Sequence, residues 1–242
     1  MILDNKNKID DVYLLTIIKS LCTTKIRTPL GIEQIKTWLK QFELGPERTL
    51  ALLILRFLIY RTSDQLESSL KQALKYAATH FIPSEYVRED TNWRDVLIGS
   101  VGLDFYLGPP KHQFTQPGKS GEIISRQLKS CFPLEGRQLV YPDSVNELRP
   151  NERYLLIDDG TYTGNQLIDY IKVNASFMVN SNQVGVVVGI AHEEAIKKFS
   201  EQIPNLKIFC GETLTSEELQ GSINLALKDI ELQLHVLWHN SC

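Results

Sequence analysis

Nothing in this sequence is built to cross a membrane as a helix. Its most apolar run, Leu50 to Tyr60, is broken by Arg56. It falls well short of the roughly twenty residues that a spanning helix needs. The opening residues, Met1 to Asp11, are polar and mixed in charge, unlike a secretory signal. Cysteine is scarce. Cys22, Cys131, Cys210 and Cys242 stand far apart without a close pair, which excludes a paired-cysteine zinc framework and a disulfide scaffold. Such thiols suit a reducing compartment, and the cytoplasm is the expected location. Charge of one sign is missing too. With 26 basic and 29 acidic residues the formal charge is −3, so a polyanion-binding surface over the whole protein is not indicated, and nucleic acid is not an expected partner. There is no internal repeat and no low-complexity tract. What remains is a globular composition, 242 residues with 43% hydrophobic and 23% charged, enough for one large or two small domains.

The first third reads as helical. Val12, Leu14, Leu15, Ile17, Ile18 and Leu21 recur at helical spacing, and Ile32, Ile35, Trp38, Leu39 and Phe42 repeat the pattern. Pro46 suits a first helical position. Leu50 to Tyr60 is apolar nearly all round, as in a helix buried by its neighbours. Ser63 caps a further helix whose inner face is Leu66, Leu70, Ala73, Leu74 and Ala77. No strand signal and no site chemistry precede Phe81. A helical module over residues 1–85 is therefore expected, one that packs, covers the second domain or docks a protein partner. The stretch from Ile82 to Gly121 carries no readable pattern, and Val96 to Ile98 fits a strand or a helical turn equally.

From there the chain alternates. Strands are expected at Gln138–Tyr141, Arg153–Asp158, Val184–Ile190 and Leu206–Cys210. Helices are expected at Gly164–Val173, Glu193–Gln202 and Ser216–Leu227. The β-branched run of Val184 to Ile190 suits a strand covered on both faces. Strands alternating with helices imply an α/β domain with a parallel sheet over residues 86–242. Ligands of such sheets bind beyond the carboxyl ends of the strands. The tail from Asp229 to Trp238 is ambiguous, and the alternation of Leu232, Leu234 and Val236 leaves an added strand open.

One segment carries chemistry. The apolar run Tyr154 to Ile157 leads into Asp158 and Asp159, then Gly160, Thr161, Tyr162, Thr163, Gly164, Asn165 and Gln166. A strand, an acidic pair, a small-residue loop and a helix start make a device for holding a phosphorylated sugar. The helix start offers unpaired N–H groups and a positive dipole end to phosphate. Carboxylates accept hydrogen bonds from ribose hydroxyls. The alternative is a strand ending in a solvated Asp-Gly turn.

This segment resembles the phosphoribosyl-pyrophosphate-binding signature of type I phosphoribosyltransferases. The resemblance implies a parallel-sheet phosphoribosyltransferase-like domain preceded here by the helical module. It implies that Asp158 and Asp159 take the ribose hydroxyls, that Thr161 to Gln166 wrap the 5′-phosphate, and that magnesium is held indirectly through Asp158 and Asp159. Gly160 stands where the family usually has an apolar residue, and Gln166 where it often has Thr or Ser. A family loop ahead of the signature binds pyrophosphate, and Gly118, Lys119, Ser120 and Gly121, with Arg126 nearby, fit that role. The same four residues also fit a flexible surface loop before a helix. They are not a nucleoside-triphosphate P-loop, because Gln113 occupies the position of its first Gly. The family's mobile flap would correspond to Pro142–Asn151 or to the polar loop Lys111–Gln116. The implied ligand is phosphoribosyl pyrophosphate or a related nucleotide, with transfer of the phosphoribosyl group to a base-like acceptor. A nucleotide sensor without catalysis is the competing expectation. The arrangement also resembles phosphoribosyltransferase-like proteins of bacterial conflict systems, which implies an antiviral setting.

Three further features have plainer readings beside functional ones. His235 and His239 sit four apart, with Cys242 beyond; helical spacing would put both imidazoles on one face, but a zinc site needs a third protein ligand and usually a supporting carboxylate. His192 falls on the ligand side of the expected sheet, where a helix-start role competes with ligand contact. Trp238 fits a base-stacking or a packing role.

Overall fold

The computed structural model describes residues 11–24, 30–43, 45–58, 60–83, 92–99, 102–110, 124, 139–145 and 147–217. These fall into two compact units, one reaching to Ser63 and one spanning Asp64–Ser216. Gly118, Lys119, Ser120, Gly121, Arg126, His235, Trp238 and His239 lie outside the described residues.

The first unit holds helices α1 (Asp11–Thr23), α2 (Ile32–Leu39) and α3 (Pro46–Phe57). Their periodic apolar positions make one core of Leu14, Ile18, Ile35, Leu39, Ala51, Leu52, Leu53 and Leu55. Trp38 and Phe42 close it edge to face, with centroids 4.8 Å apart. Gly45, at φ 125°, and Pro46 start α3. Leu50 and Ile54 of α3 stay exposed, so that helix is less enclosed than its composition predicts.

The second unit is α/β. It opens with α4 (Ser63–Phe81) and a short α5 (Trp93–Leu97), whose first turn is capped by Asn92 accepting from the Arg94 N–H at 3.1 Å. Then come strand β1 (Asp104–Gly108), strand β2 (Glu152–Thr161), helix α6 (Asn165–Asn174), strand β3 (Val184–His192), helix α7 (Glu193–Gln202) and strand β4 (Lys207–Leu214). The strands form one parallel sheet in the order β1-β2-β3-β4. No described helix is long and apolar enough to cross a membrane.

Alternation along β2 divides the core between the faces of the sheet. Leu155 and Ile157 pack with Leu70, Leu74, Ala77 and Phe81 of α4 and with Val96 and Leu97. Tyr154 and Leu156 pack with Leu167, Ile168 and Ile171 of α6 and with Phe199 of α7. Strand β3 is buried along its whole length, as its β-branched run predicts. The Tyr154 hydroxyl is pushed above its ordinary pKa by burial and donates to the Val140 carbonyl at 2.8 Å.

Glycine lets α4 lie close on the sheet. A β-carbon at Gly211 of β4 would stand 1.9 Å from the Ser69 carbonyl oxygen, and one at Gly189 of β3 would stand 2.5 Å from Leu66 Cδ1. The first clash is with backbone, which has no rotamer to yield.

The N-terminal edge of the sheet is tied by polar groups. Buried Glu152 accepts from Tyr106 Oη at 3.0 Å and from the Arg149 N–H at 2.8 Å. Burial, and then the bond to Glu152, raise the Tyr106 hydroxyl pKa. Gln183 Nε2 donates to the Arg149 and Glu152 carbonyls at 2.5 and 2.9 Å.

Three expectations change. The stretch without readable pattern contains β1, a sheet strand. The strand expected at Gln138–Tyr141 is only an isolated parallel bridge, Leu107 to Leu139, among the described residues. Strands β2 and β4 run beyond their expected ends, to Thr161 and Leu214. The helix expected from Ser216 begins there, and only Ser216 and Glu217 of it are described.

Replacing Gly211 by Ala is expected to destabilise the protein by about 2–3 kcal/mol, the cost of overpacking a site whose neighbour is backbone. Chemical denaturation measures it, and an unchanged midpoint would contradict this packing of α4.

Candidate functional site

The site is built where β2 gives way to α6. Strand pairing does not stop at the acidic residues. Asp158 pairs with Val188, Gly160 with Ile190 and Thr161 with Ala191, so the strand carries on three residues past Asp158. Only Tyr162, Thr163 and Gly164 then remain to turn the chain into Asn165. Gly164 makes the turn possible with φ 75° and ψ −18°, a left-handed conformation that side chains with a Cβ rarely adopt. Its carbonyl accepts the first helical bond, from the Ile168 N–H at 3.0 Å.

The N–H groups at the start of α6 have no intrahelical acceptors. The first turn of α6 contains no acidic residue, whereas that of α7 contains Glu193 and Glu194. The positive end of α6 thus has no offsetting carboxylate in its own first turn, whereas that of α7 has two. Glu193 accepts the Ser216 N–H at 2.6 Å, and this bond holds its carboxyl below the usual pKa.

A cavity of about 140 Å³ opens at this turn. Asp158, Gly160 and Thr161 line it from β2, Tyr162, Thr163 and Gly164 from the turn, and Gln166 from α6. Asp159 and Asn165 are not among its lining residues. Successive residues of a strand face opposite sides, so Asp159 belongs to the α4 face while Asp158 belongs to the α6 face. The carboxylates bond along the chain: Asp158 Oδ1 accepts the Asp159 N–H at 2.9 Å, and Asp159 Oδ1 accepts the Gly160 N–H at 2.8 Å. The Asn165 side chain is instead engaged by α7, its Oδ1 accepting from Lys198 Nζ.

Three lining residues escaped the sequence reading: Pro110, Leu167 and Tyr170. Pro110 follows β1, so finding it required β1 itself. Leu167 and Tyr170 lie on α6 within one turn of Gln166 and follow from helical periodicity once the cavity is known. The described residues of the interval Pro142–Asn151 pack onto the domain. The interval holds a short 3₁₀ helix, Val145 and Leu148 pack against the α6-side core, and Asn151 Nδ2 donates to Asp104 Oδ2 at 3.2 Å where β1 begins. Pro110, two residues after β1, lines the cavity, and Lys111–Gln116 lies outside the described residues.

Magnesium fits this donor set only in the indirect manner. Among the described residues no group of three or more His, Cys, Asp or Glu side chains could hold a metal ion. A hard cation that keeps most of its waters needs only one or two carboxylates together with ligand phosphates.

No curated protein matches the chain. A family model described as PRTase-CE matches residues 35–229, well over half of the sequence. With a parallel sheet, helices on both faces and the signature segment forming the turn beyond β2, the domain is phosphoribosyltransferase-like, and the chain belongs to the PRTase-CE family.

Proposed function

We propose that the cavity beyond β2 binds phosphoribosyl pyrophosphate or a related nucleotide. The observation that carries this reading is the juxtaposition of one carboxylate, Asp158, with an uncompensated helix N-terminus around a single cavity. The 5′-phosphate would sit against the turn Thr161–Gly164 and the N–H groups of Asn165 and Gln166. Thr161 and Thr163 hydroxyls and the Gln166 amide are donors for its remaining oxygens. Asp158 would accept a ribose hydroxyl. Asp159, facing the other side, would act by holding the Gly160 N–H and so the direction of the turn.

Of the two carboxylates expected to hold magnesium indirectly, only Asp158 lines the cavity, so Asp158 would hold it there, and the ion would supply charge that neutralises the pyrophosphate. Gly118 to Gly121 and Arg126 are the proposed pyrophosphate contacts, with Lys119 supplying charge at the leaving group. Transfer to a base-like acceptor would then rest on positioning and charge stabilisation of an oxocarbenium-like transition state. A sensor that binds the same ligand without transfer is the second reading. It is favoured by the packing of Val145 and Leu148 against the core and the bond of Asn151 to Asp104, which engage the described residues of this interval with the domain rather than with the cavity. In either case the N-terminal helices are the proposed docking element for a protein partner, and a bacterial antiviral system in the cytoplasm is the proposed setting.

Calorimetric titration with phosphoribosyl pyrophosphate and magnesium tests binding, and pyrophosphate release over a panel of bases separates enzyme from sensor. Asp158→Asn is expected to weaken binding at least tenfold, the loss of a charge-assisted hydrogen bond. Asp159→Asn is expected to weaken it less, and neither change should lower the melting temperature, because adjacent carboxylates repel. Equal affinity in Asp158→Asn and the parent protein would sink the assignment.

Gly164→Ala should cost about 1–2 kcal/mol of stability from the left-handed backbone alone. The added carbon also sits 3.4 Å from Ile168 Cδ1 and 3.5 Å from the Ala195 backbone. A thermal melt together with a ligand titration checks this, and a variant as stable and as tight-binding as the parent would contradict the turn geometry.

A further inference from the structure

One buried polar side-chain atom is unpaired among the described residues: Nε2 of His192. His192 is the last residue of β3 and the N-cap of α7, and only 6% of its surface is exposed. Its Nδ1 accepts the Glu194 N–H at 3.2 Å. In the neutral ring the proton therefore resides on Nε2, which becomes an N–H donor without an acceptor. Capping alone does not call for this residue. Asn, Asp, Ser or Thr would cap α7 at least as well and leave no buried donor unsatisfied.

His192 is not among the residues lining the cavity, but its strand position lies at the same edge of the sheet. Ala191, one residue earlier, pairs with Thr161, which lines the cavity. Neighbouring strands stand about 4.8 Å apart, so His192 lies at the same carboxyl edge, one strand over from the turn. Its chemistry differs from that of the α6 start. Glu193 and Glu194 follow it directly, and Glu193 is fixed by the Ser216 N–H. The Glu193 carboxylate beside the ring disfavours a phosphate and leaves an uncharged acceptor as the suitable partner.

We propose that His192 is a specificity-determining residue, donating Nε2–H to an uncharged carbonyl oxygen or ring nitrogen on the end of the ligand away from its phosphate. The site then selects a nucleoside 5′-phosphate over a bare sugar phosphate. This rests on the reading of the cavity as a sugar-phosphate site. Because Nε2 is covered, the acceptor reaches it only when an edge side chain moves aside.

The test uses the full chain and two kinds of probe: ribose 5-phosphate, and the 5′-monophosphates of adenosine and uridine. His192→Asn keeps a capping oxygen for the Glu194 N–H and removes the reach of the ring. It is expected to bind at least one nucleoside monophosphate about tenfold more weakly than the parent, and ribose 5-phosphate with unchanged affinity. In the parent protein, nitrogen-15 NMR should show the His192 Nε2–H resonance shifting on saturation with that nucleotide and not with ribose 5-phosphate. That readout stands even if the variant fails to fold. Equal losses for both kinds of probe, no loss for either, or an unmoved Nε2–H resonance would overturn the role of His192 while ribose 5-phosphate binding by the parent preserves the underlying site. If the parent binds none of the probes, the sugar-phosphate reading fails and the His192 proposal falls with it.

Discussion

The structure of the site depends on the left-handed backbone of Gly164. Parallel pairing holds β2 in the sheet as far as Thr161, and α6 begins at Asn165, so the reversal has three residues in which to occur. A residue at φ 75° accomplishes it. The short turn brings the start of α6 close to the strand that carries Asp158. Without so tight a reversal, carboxylate and helix N-terminus would belong to separate surfaces rather than to one cavity of about 140 Å³.

Electrostatics and packing divide the labour around that turn. Helices α6 and α7 both start at the carboxyl edge of the sheet, but only α6 lacks acidic side chains in its first turn. The proposed anion site therefore falls at α6, and the proposed uncharged contact at the edge of β3 beside Glu193. On the opposite face, Gly211 lets the α4 backbone lie directly on β4, and Gly189 lets the Leu66 and Leu70 side chains of α4 lie on β3. The sheet is thereby fixed from behind, and the Asp159 carboxylate, on that side, is occupied by the Gly160 N–H. Adjacent acids in one strand hold different positions because a strand alternates.

Much of this was legible in the sequence because it is written in local terms. Helical periodicity located α1, α2, α4 and α7, and the β-branched run located β3. Thr163-Gly164 before an apolar helix marked the start of α6. Strand β1 was not legible: its five residues bury only Phe105, Leu107 and Gly108, and its existence depends on pairing with β2, which lies more than 40 residues on. The extension of β2 past the acidic pair was missed for the same reason, since Gly160 and Thr161 are held there by β3 and not by their own propensity. The separation of Asp158 from Asp159 follows from that extension. Had the strand ended at Asp158, the two carboxylates would have been free to turn the same way. The family resemblance identified the turn as a unit, while the coordinates assign Asn165 to Lys198 and add Pro110, Leu167 and Tyr170 to the cavity.

The central claim is that amide hydrogens at the start of α6 grip a phosphate whose sugar lies against Asp158. Titration of nitrogen-15-labelled protein with ribose 5-phosphate, followed by amide NMR, addresses it directly. The account predicts saturable shifts concentrated at Thr163, Gly164, Asn165 and Gln166, with the helix preserved. Amide resonances that stay in place there, or shifts centred elsewhere on the chain, would contradict it.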